Sequence, residues 1–478
     1  MPQDVAAVVL AAGMGTRFRS DRAKVLHRAA GRTLVRFVLE ALRPLDLGQI
    51  VVVVGHQAEE VAEEVSHAGL RRLTTALQAE QRGTGHAVQA AMPALAEHIQ
   101  RVLIVPGDTP LLTGATLGQL LEVAGDGDAD GLSAADAPCG ALLTADLADP
   151  SGYGRVVHDN NGRAVEIVEE RDATDEQRQL TVINAGMYLI DRVLLGEALA
   201  GLEDDNAQGE LYLTDVVAAL ARTGQAPVPV LAPESEIAGV NDRRQLADAA
   251  AVLRRRHLDH LLIEVGVNIP DPAAVWLDVD VEVAREAVLL PGTVLEAGTR
   301  IGEGSVIGPD THLTRCAVGP GASVHSTRAQ DAVIGERCSV GPFSHLRAGT
   351  VLEAGAKVGA YVETKNVTVG ERSKLPHLAY VGDATIGTGV NVACGVITVN
   401  YDGHTKSHTT IEDGAFIGCD TMLVAPVTIG HGAYTAAGST ITEDLPAGAL
   451  GIARSRQTTK DGWAERRRAQ RDEGTANR

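Results

Sequence analysis

Aromatic residues are scarce in this 478-residue chain: Phe, Trp and Tyr together make up 3%. Ring-filled cores are thereby excluded over most of its length, and packing must rest on small and branched aliphatic side chains. Basic charge is scarce as well, with 42 Lys and Arg against 62 Asp and Glu and a formal net charge of −20. So acidic a field argues against nucleic acid or an anionic membrane as partner. The dense basic runs Arg254–Arg256 and Arg466–Arg468 read as solvated helix faces. No stretch approaches about 18 unbroken apolar residues, so no membrane span is expected. The five cysteines (Cys139, Cys316, Cys338, Cys394, Cys419) are odd in number and lack C-x-x-C spacing. That disfavours a disulfide framework and a zinc cluster, and a reducing cytoplasm fits best. The chain enters an apolar strand after Asp4 without a basic n-region, so no export signal is expected.

Length alone suggests two or three domains. Up to about residue 230, apolar strands alternate with helical patterns: VAAVVLAAG, QIVVVVGH, RVLIVPGD and TVINAGMYLI read as strands. This is the grammar of an α/β domain with a mainly parallel sheet. Residues 242–262 read as one amphipathic helix linking this half to the next. Beyond it the period changes to six, as at Leu289, Leu295, Ile301, Ile307 and Leu313, again from Ile334 to Val358, and again from Ile411 to Ile429. A six-residue repeat predicts a parallel β-helix whose coil is a triangular prism, each hexapeptide forming one face and one corner. A narrow prism interior also accounts for the shortage of rings. The repeat lapses near 314–333, 359–380 and 398–410, where insertions are expected to leave the stack as loops. The boundaries expected are 1–232 for the α/β domain, 233–265 for the helical linker, 266–457 for the β-helix and 458–478 for a polar tail, frayed beyond Trp463.

The loop LAAGMGTR ends the first strand. A glycine-rich turn there brings backbone N–H groups toward a phosphate, and the following helix start adds a favourable field. It is neither G-x-G-x-x-G nor G-x-x-x-x-G-K-[ST], which disfavours a dinucleotide fold and a P-loop ATPase. Followed by KVLH, QRGTGHA and PGDTPLL over about 110 residues, it resembles the sugar-phosphate nucleotidyltransferases. That resemblance implies that Leu10, Ala11, Ala12 and Gly13 cradle the nucleotide and that Arg17 and Lys24 meet phosphates. It also implies that Gln78, Gly83 and Thr84 read the uracil, while Asp108 and Asn241 hold Mg²⁺. Read alone, Asp108 and Asn241 each also suit a helix cap. Gly154, Glu169 and Asn184 match positions that contact a hexosamine.

In the second half, LRAG, YVETKN, HLAYVGDA, NVACGVITVNYDG and LVAPVTIG narrow the resemblance. They are similar to the bacterial bifunctional N-acetylglucosamine-1-phosphate uridylyltransferase/glucosamine-1-phosphate N-acetyltransferase family. The fold implied is an α/β nucleotidyltransferase domain with a Rossmann-like mixed sheet, followed by a left-handed parallel β-helix of hexapeptide repeats. Acetyl-CoA would acetylate glucosamine 1-phosphate first, and UTP would then uridylylate N-acetylglucosamine 1-phosphate. By the resemblance His377 is the base, Arg347 and Lys365 bind the sugar phosphate, and Tyr380 and Asn391 position the sugar. Cys394, Asn400, Tyr401, Cys419, Ala437 and Arg454 would line the acetyl-CoA path. A homotrimer is implied, with neighbouring chains sharing the acetyltransferase sites.

Some positions depart from the family pattern. Cys394 and Cys419 stand where alanine and serine are common, Pro106 where some members carry tyrosine, and Ala23 where proline is usual. Competing expectations are a nucleotidyltransferase for another sugar 1-phosphate with a non-catalytic β-helix, and a non-catalytic scaffold that kept both folds. Histidine metal ligands in the β-helix are disfavoured, because His404 and His408 lack a third partner.

Overall fold

The computed structural model describes residues 2–123 and 139–476. The chain divides into two compact units, Met1–Leu258 and Asp259–Arg478.

Unit one is built on a nine-stranded sheet. Its strands are β1 (Val5–Leu10), β2 (Gln49–Val54), β3 (Leu73–Leu77), β4 (Arg101–Pro106), β5 (Gly140–Asp146), β6 (Arg155–His158), β7 (Ala164–Val168), β8 (Val182–Asp191) and β9 (Val228–Leu231). The main order is β9-β5-β8-β4-β1-β2-β3, with β6 paired to β8 and β7 paired to β6. Strands β1, β2 and β4 are unbroken apolar runs because helices cover both faces of a parallel sheet. Strand β8 runs antiparallel to β4 and β5, so the sheet is mixed. The order reverses between β1 and β4, and a crevice at the carboxyl ends of such strands is where α/β folds bind ligands.

The long helix is Arg243–His260, continued by a single wide turn to Val265 and stopped by left-handed Gly266. The division between the units falls inside this helix. Among the described residues no helix is long and apolar enough to cross a membrane.

Unit two is a coil of short parallel strands. Its interior columns read Leu277, Leu295, Leu313, Ala329, Leu346, Thr364 and Val381 on one face. A second face stacks Val283, Ile301, Val318, Ile334, Leu352 and Val369. A third stacks Leu289, Ile307, Val324, Val340, Val358 and Leu375. All of these side chains are buried.

Two of the three expected insertions are absent. Residues 314–333 stay in the stack because the steps Leu313 to Val318, Val324 to Ala329 and Ala329 to Ile334 are five residues long rather than six. A left-handed residue shortens each corner: Arg315 (φ 50°), Ser326 (φ 43°) and Asp331 (φ 48°). Residues 359–380 also stay, within the paired strands Lys357–Val369 and Lys374–Ile386. There Thr364 takes the inward place of an aliphatic, its hydroxyl 3.0 Å from that of Thr350. Only 398–410 holds an insertion, leaving the coil after Asn400 and rejoining it at Thr409. Thr398 pairs with Leu423, 25 positions on, whereas other coils return after 16 to 18. Tyr401 to Lys406 are consequently exposed.

The tail differs from expectation too, forming a helix at Trp463–Ala476 instead of fraying. Its Ala, Arg, Glu and Gln residues are good helix formers.

Leu346 lies at the centre of a filled column, so Leu346→Ala leaves a cavity between Ala329 and Thr364. It should cost about 3 kcal/mol, read as a lower urea midpoint for the coil's transition. An unchanged midpoint would contradict this packing.

Candidate active sites

A cleft of about 550 Å³ opens at the carboxyl ends of β1 and β4. The sheet register sets its floor: Leu10 pairs with Pro106, the Gly107 N–H donates to the Leu10 carbonyl at 2.9 Å, and Ala11 N–H donates to Val53 at 2.9 Å. A side chain at Gly107 would collide with the Leu10 carbonyl, so only glycine lets the two strand ends approach this closely. Gly13 faces open space, leaving the loop's backbone free to approach a ligand.

Of the nucleotide residues expected, Leu10, Ala12, Gly13, Lys24, Gln78, Gly83, Thr84 and Asp108 line this cleft. Ala11 is buried in the core beneath it. Arg17 is exposed and lies outside the lining. Asn241 is reached through Lys24, whose ammonium pairs with the Asp108 carboxylate and donates to Asn241 Oδ1 at 3.0 Å. The two oxygen ligands expected for a metal are thus gathered around a single cation. The Val240 N–H donates to the Asp108 carbonyl at 2.9 Å, which holds the two segments together. Among the described residues no group of three or more His, Cys, Asp or Glu is placed to hold a metal ion.

Gly83 (φ 107°) precedes the helix Thr84–Ala91 and packs against the Leu211 backbone, where a side chain would clash. Gln78 is buried and donates to the Gly83 carbonyl at 3.0 Å. Gln81, not singled out from the sequence, donates to the Ala12 carbonyl at 3.2 Å and ties this segment to the glycine loop.

The expected sugar residues cluster on one wall. Glu169 and Asn184 line the cleft, and Gly154 lies behind them, its carbonyl accepting from the Asn184 N–H at 2.9 Å. Asn184 Nδ2 donates to the Tyr188 hydroxyl at 2.6 Å. Burial pushes the Glu169 carboxyl above the usual carboxylate range, only partly offset by the Thr214 hydroxyl donating to it at 3.2 Å. Burial likewise raises the Tyr188 phenol. Behind the wall, Arg155 is almost fully buried; it bonds the Tyr153 carbonyl and forms a 2.8 Å ion pair with Glu170.

In the coil, most of the residues expected for acetyl transfer fall on one face and its two flanking corners. Arg347, Lys365 and Tyr380 project outward from the face whose inward column is Leu346, Thr364 and Val381. Gly382 leaves room for Tyr380 to lie over it, since a side chain there would meet the phenol oxygen and displace the ring. His377 is exposed on the leading corner, paired with Ala360. Its column continues through Cys394, Cys419 and Ala437, fixed by Gly395 N–H to Leu378, Asp420 N–H to Cys394 and Gly438 N–H to Cys419, each at 2.8 Å. Asn391 pairs with Lys374 and Phe416, on the face before that corner.

The trailing corner stacks Asn366, Asp383 and Asn400. Asn366 Nδ2 donates to Asp383 Oδ1 at 2.7 Å, and Asn400 Nδ2 donates to its other oxygen. Burial works against ionised Asp383, but these bonds and the Lys365 and Lys406 cations outweigh it and hold its carboxyl below the usual range. Lys406, on the inserted loop and missed in the sequence, stands beside Lys365 and pulls that ammonium below the usual lysine value. Arg347 forms a 2.9 Å ion pair with Glu363. Tyr401 is exposed on the loop, and Arg454 is exposed near the end of the corner column. Two neighbouring ammonium groups on one face suit a dianion such as a sugar phosphate.

Residues 7–261 match the family described as MobA-like NTP transferase domain. Residues 408–443 match bacterial transferase hexapeptide (six repeats). The chain is 48% identical over 472 residues to "Bifunctional protein GlmU" of Mycolicibacterium vanbaalenii, covering 98% of this chain and 94% of that protein. It is 47% identical over 466 residues to the protein of the same name from Streptomyces avermitilis, covering 97% and 94%. The Corynebacterium efficiens protein of that name is 46% identical over 469 residues, with 97% and 94% covered.

Glu169 provides a pH-dependent check on the sugar wall. A carboxyl whose pKa is raised by folding opposes the fold once ionised, so its cost is absent below the unfolded pKa and sets in as pH rises through the folded one. Glu169→Gln should therefore raise the melting midpoint of the first unit at neutral pH, with the gain vanishing near pH ~4. Equal midpoints at both pH values would contradict the burial described.

Proposed function

As the chain belongs to the bifunctional GlmU family, an acetyl- and uridylyl-transferring enzyme of UDP-N-acetylglucosamine synthesis, we propose that its two reactions run in two separate places. Uridylyl transfer belongs to the cleft of the first unit. There a phosphate oxygen of N-acetylglucosamine 1-phosphate attacks the α-phosphorus of UTP and pyrophosphate leaves. The chain supplies position and countercharge, which is most of what phosphoryl chemistry asks of a protein. The Leu10–Gly13 backbone cradles the nucleotide, Gln78, Gly83 and Thr84 face the uracil, and Lys24 meets the phosphates, with Arg17 reaching them from the exposed loop. Gly154, Glu169 and Asn184 hold the sugar.

Asp108 and Asn241 fit Mg²⁺, being two hard oxygen donors converging on one cation, with the remaining positions left to phosphate and water. When bound there, the ion would neutralise phosphate charge.

Acetyl transfer belongs to the coil and comes first. His377 takes a proton from the amine of glucosamine 1-phosphate as that nitrogen attacks the thioester carbonyl of acetyl-CoA, and the CoA thiol leaves. Arg347 and Lys365 hold the sugar phosphate, with Tyr380 and Asn391 on the sugar. Acetyl-CoA runs along Cys394, Cys419 and Ala437 toward Arg454, beside Asn400 and Tyr401. A homotrimer suits this arrangement: Phe343, Tyr361, Leu378, Phe416 and Tyr434 are exposed on the outside of the coil, apolar surface that subunit packing would cover. A reducing cytoplasm suits five unpaired cysteines.

The observation carrying the acetyl assignment is the single corner column of His377, Cys394, Cys419 and Ala437, which aligns a base with a long open edge. His377→Ala should lower acetyl transfer roughly 10² to 10⁴-fold while sparing uridylyl transfer, and Asp108→Ala should do the reverse. Release of CoA and of pyrophosphate from one preparation reads both. Joint loss in either variant would contradict the division of labour.

A further inference from the structure

The column bearing His377 also carries two thiols, one coil apart. Asn391 and Val392 pair with Phe416 and Ile417, and the ladder runs on as Ala393 N–H donates to Ile417 at 2.9 Å and Asp420 N–H donates to Cys394 at 2.8 Å. Cys394 and Cys419 therefore occupy the same place in successive coils. Each opens a two-residue turn closed by a left-handed residue, Gly395 (φ 78°) in one and Asp420 (φ 56°) in the other. The same turn in the same register makes the two Cα–Cβ bonds run side by side. In-register neighbours on adjacent strands lie about 4.8 Å apart, inside the roughly 4.4–6.8 Å Cα separation a disulfide accepts, and the two Cβ atoms must lean together by a few tenths of an ångström to reach its ~3.5–4.5 Å Cβ range.

Access separates these two thiols from the other three. Cys419 is exposed and Cys394 half-buried, whereas Cys139, Cys316 and Cys338 are buried. Burial pushes the Cys139 thiol up to about 12 and also raises Cys316 and Cys338, leaving them poor nucleophiles.

We propose that Cys394 and Cys419 form a paired oxidation site, closed by hydrogen peroxide into an intrachain disulfide that reversibly shuts the acetyl-CoA edge. The Cys419 sulfur attacks one peroxide oxygen, the O–O bond breaks, and the departing hydroxide leaves as water with the thiol's proton. The resulting sulfenic acid is attacked by the Cys394 sulfur. An S–S bond forms, the S–O bond breaks, and the oxygen leaves as a second water. Two electrons pass from the sulfurs to the peroxide, and a dithiol reductant returns them. The bridge pins both side chains together on the edge along which the acyl donor would run. This last effect rests on the acetyl-CoA assignment made above; the bridge itself does not.

The test treats the full-length protein with hydrogen peroxide and maps its peptides by mass spectrometry without reduction. The expected product is a cross-link joining the Cys394 and Cys419 peptides within one chain. Acetyl transfer should fall by about tenfold or more, uridylyl transfer should persist, and dithiothreitol should restore the loss. Cys394→Ala and Cys419→Ser, each compared with its own untreated rate, should keep acetyl transfer through a treatment that inactivates the parent. No cross-link, or one joining separate chains, overturns the site. A cross-link with acetyl transfer untouched overturns the closure. Absence of acetyl transfer before any peroxide is added would instead refute the functional assignment.

Discussion

Parallel main-chain register is the constraint on which both halves of this molecule depend. A parallel ladder cannot slip by one residue without turning every inward side chain outward, so whatever stands at a given register position is placed by the whole stack. In the first unit the pairing of β1 with β2 and β4 brings the Leu10 and Pro106 strand ends level, and the glycine loop and Asp108 inherit their positions from that alignment. In the second unit each coil hands its corner to the next. His377, Cys394, Cys419 and Ala437 share an edge because successive ladders hold, although 25 residues separate two of them in the chain.

The same constraint explains which parts of the fold could be read from sequence. The strands β1, β2 and β4 were legible because burial on both faces leaves little room for polar interruption. The six-residue period was legible wherever aliphatics filled the prism. It failed at 314–333 and 359–380 for two physical reasons: a left-handed non-glycine corner can remove one residue from a step without breaking the ladder, and a threonine can fill an inward place if its hydroxyl finds a partner. Thr364 does so with Thr350. The lapse at 398–410 looked no different in the sequence, yet it alone is a true insertion, since its Gly, Asp and Lys residues have no inward place to fill.

Side-chain chemistry was legible only where a motif carried it. The glycine loop, Lys24 and Asp108 announce themselves by order along the chain. Gln81 stands in the QRGTGHA motif, but its tie to Ala12, 69 positions away, and the closeness of Lys406 to Lys365 across the coil are written in no motif. Asp383 belongs with them: its two asparagine donors come from the coils before and after it. Arg17, expected at the phosphates, is exposed and lies outside the cleft lining, because its place on the loop is set by local chain direction and not by the sheet register.

Two register-built sites, one proposed for each reaction, should each respond to its own ligands alone. Hydrogen–deuterium exchange on the full chain, with UTP and Mg²⁺ in one series and acetyl-CoA in another, addresses this most directly. Slowed exchange at residues 10–24 and 78–84 with the first, and at 391–401 and 419–437 with the second, is the result expected. Both ligands slowing exchange in one and the same segment would contradict it.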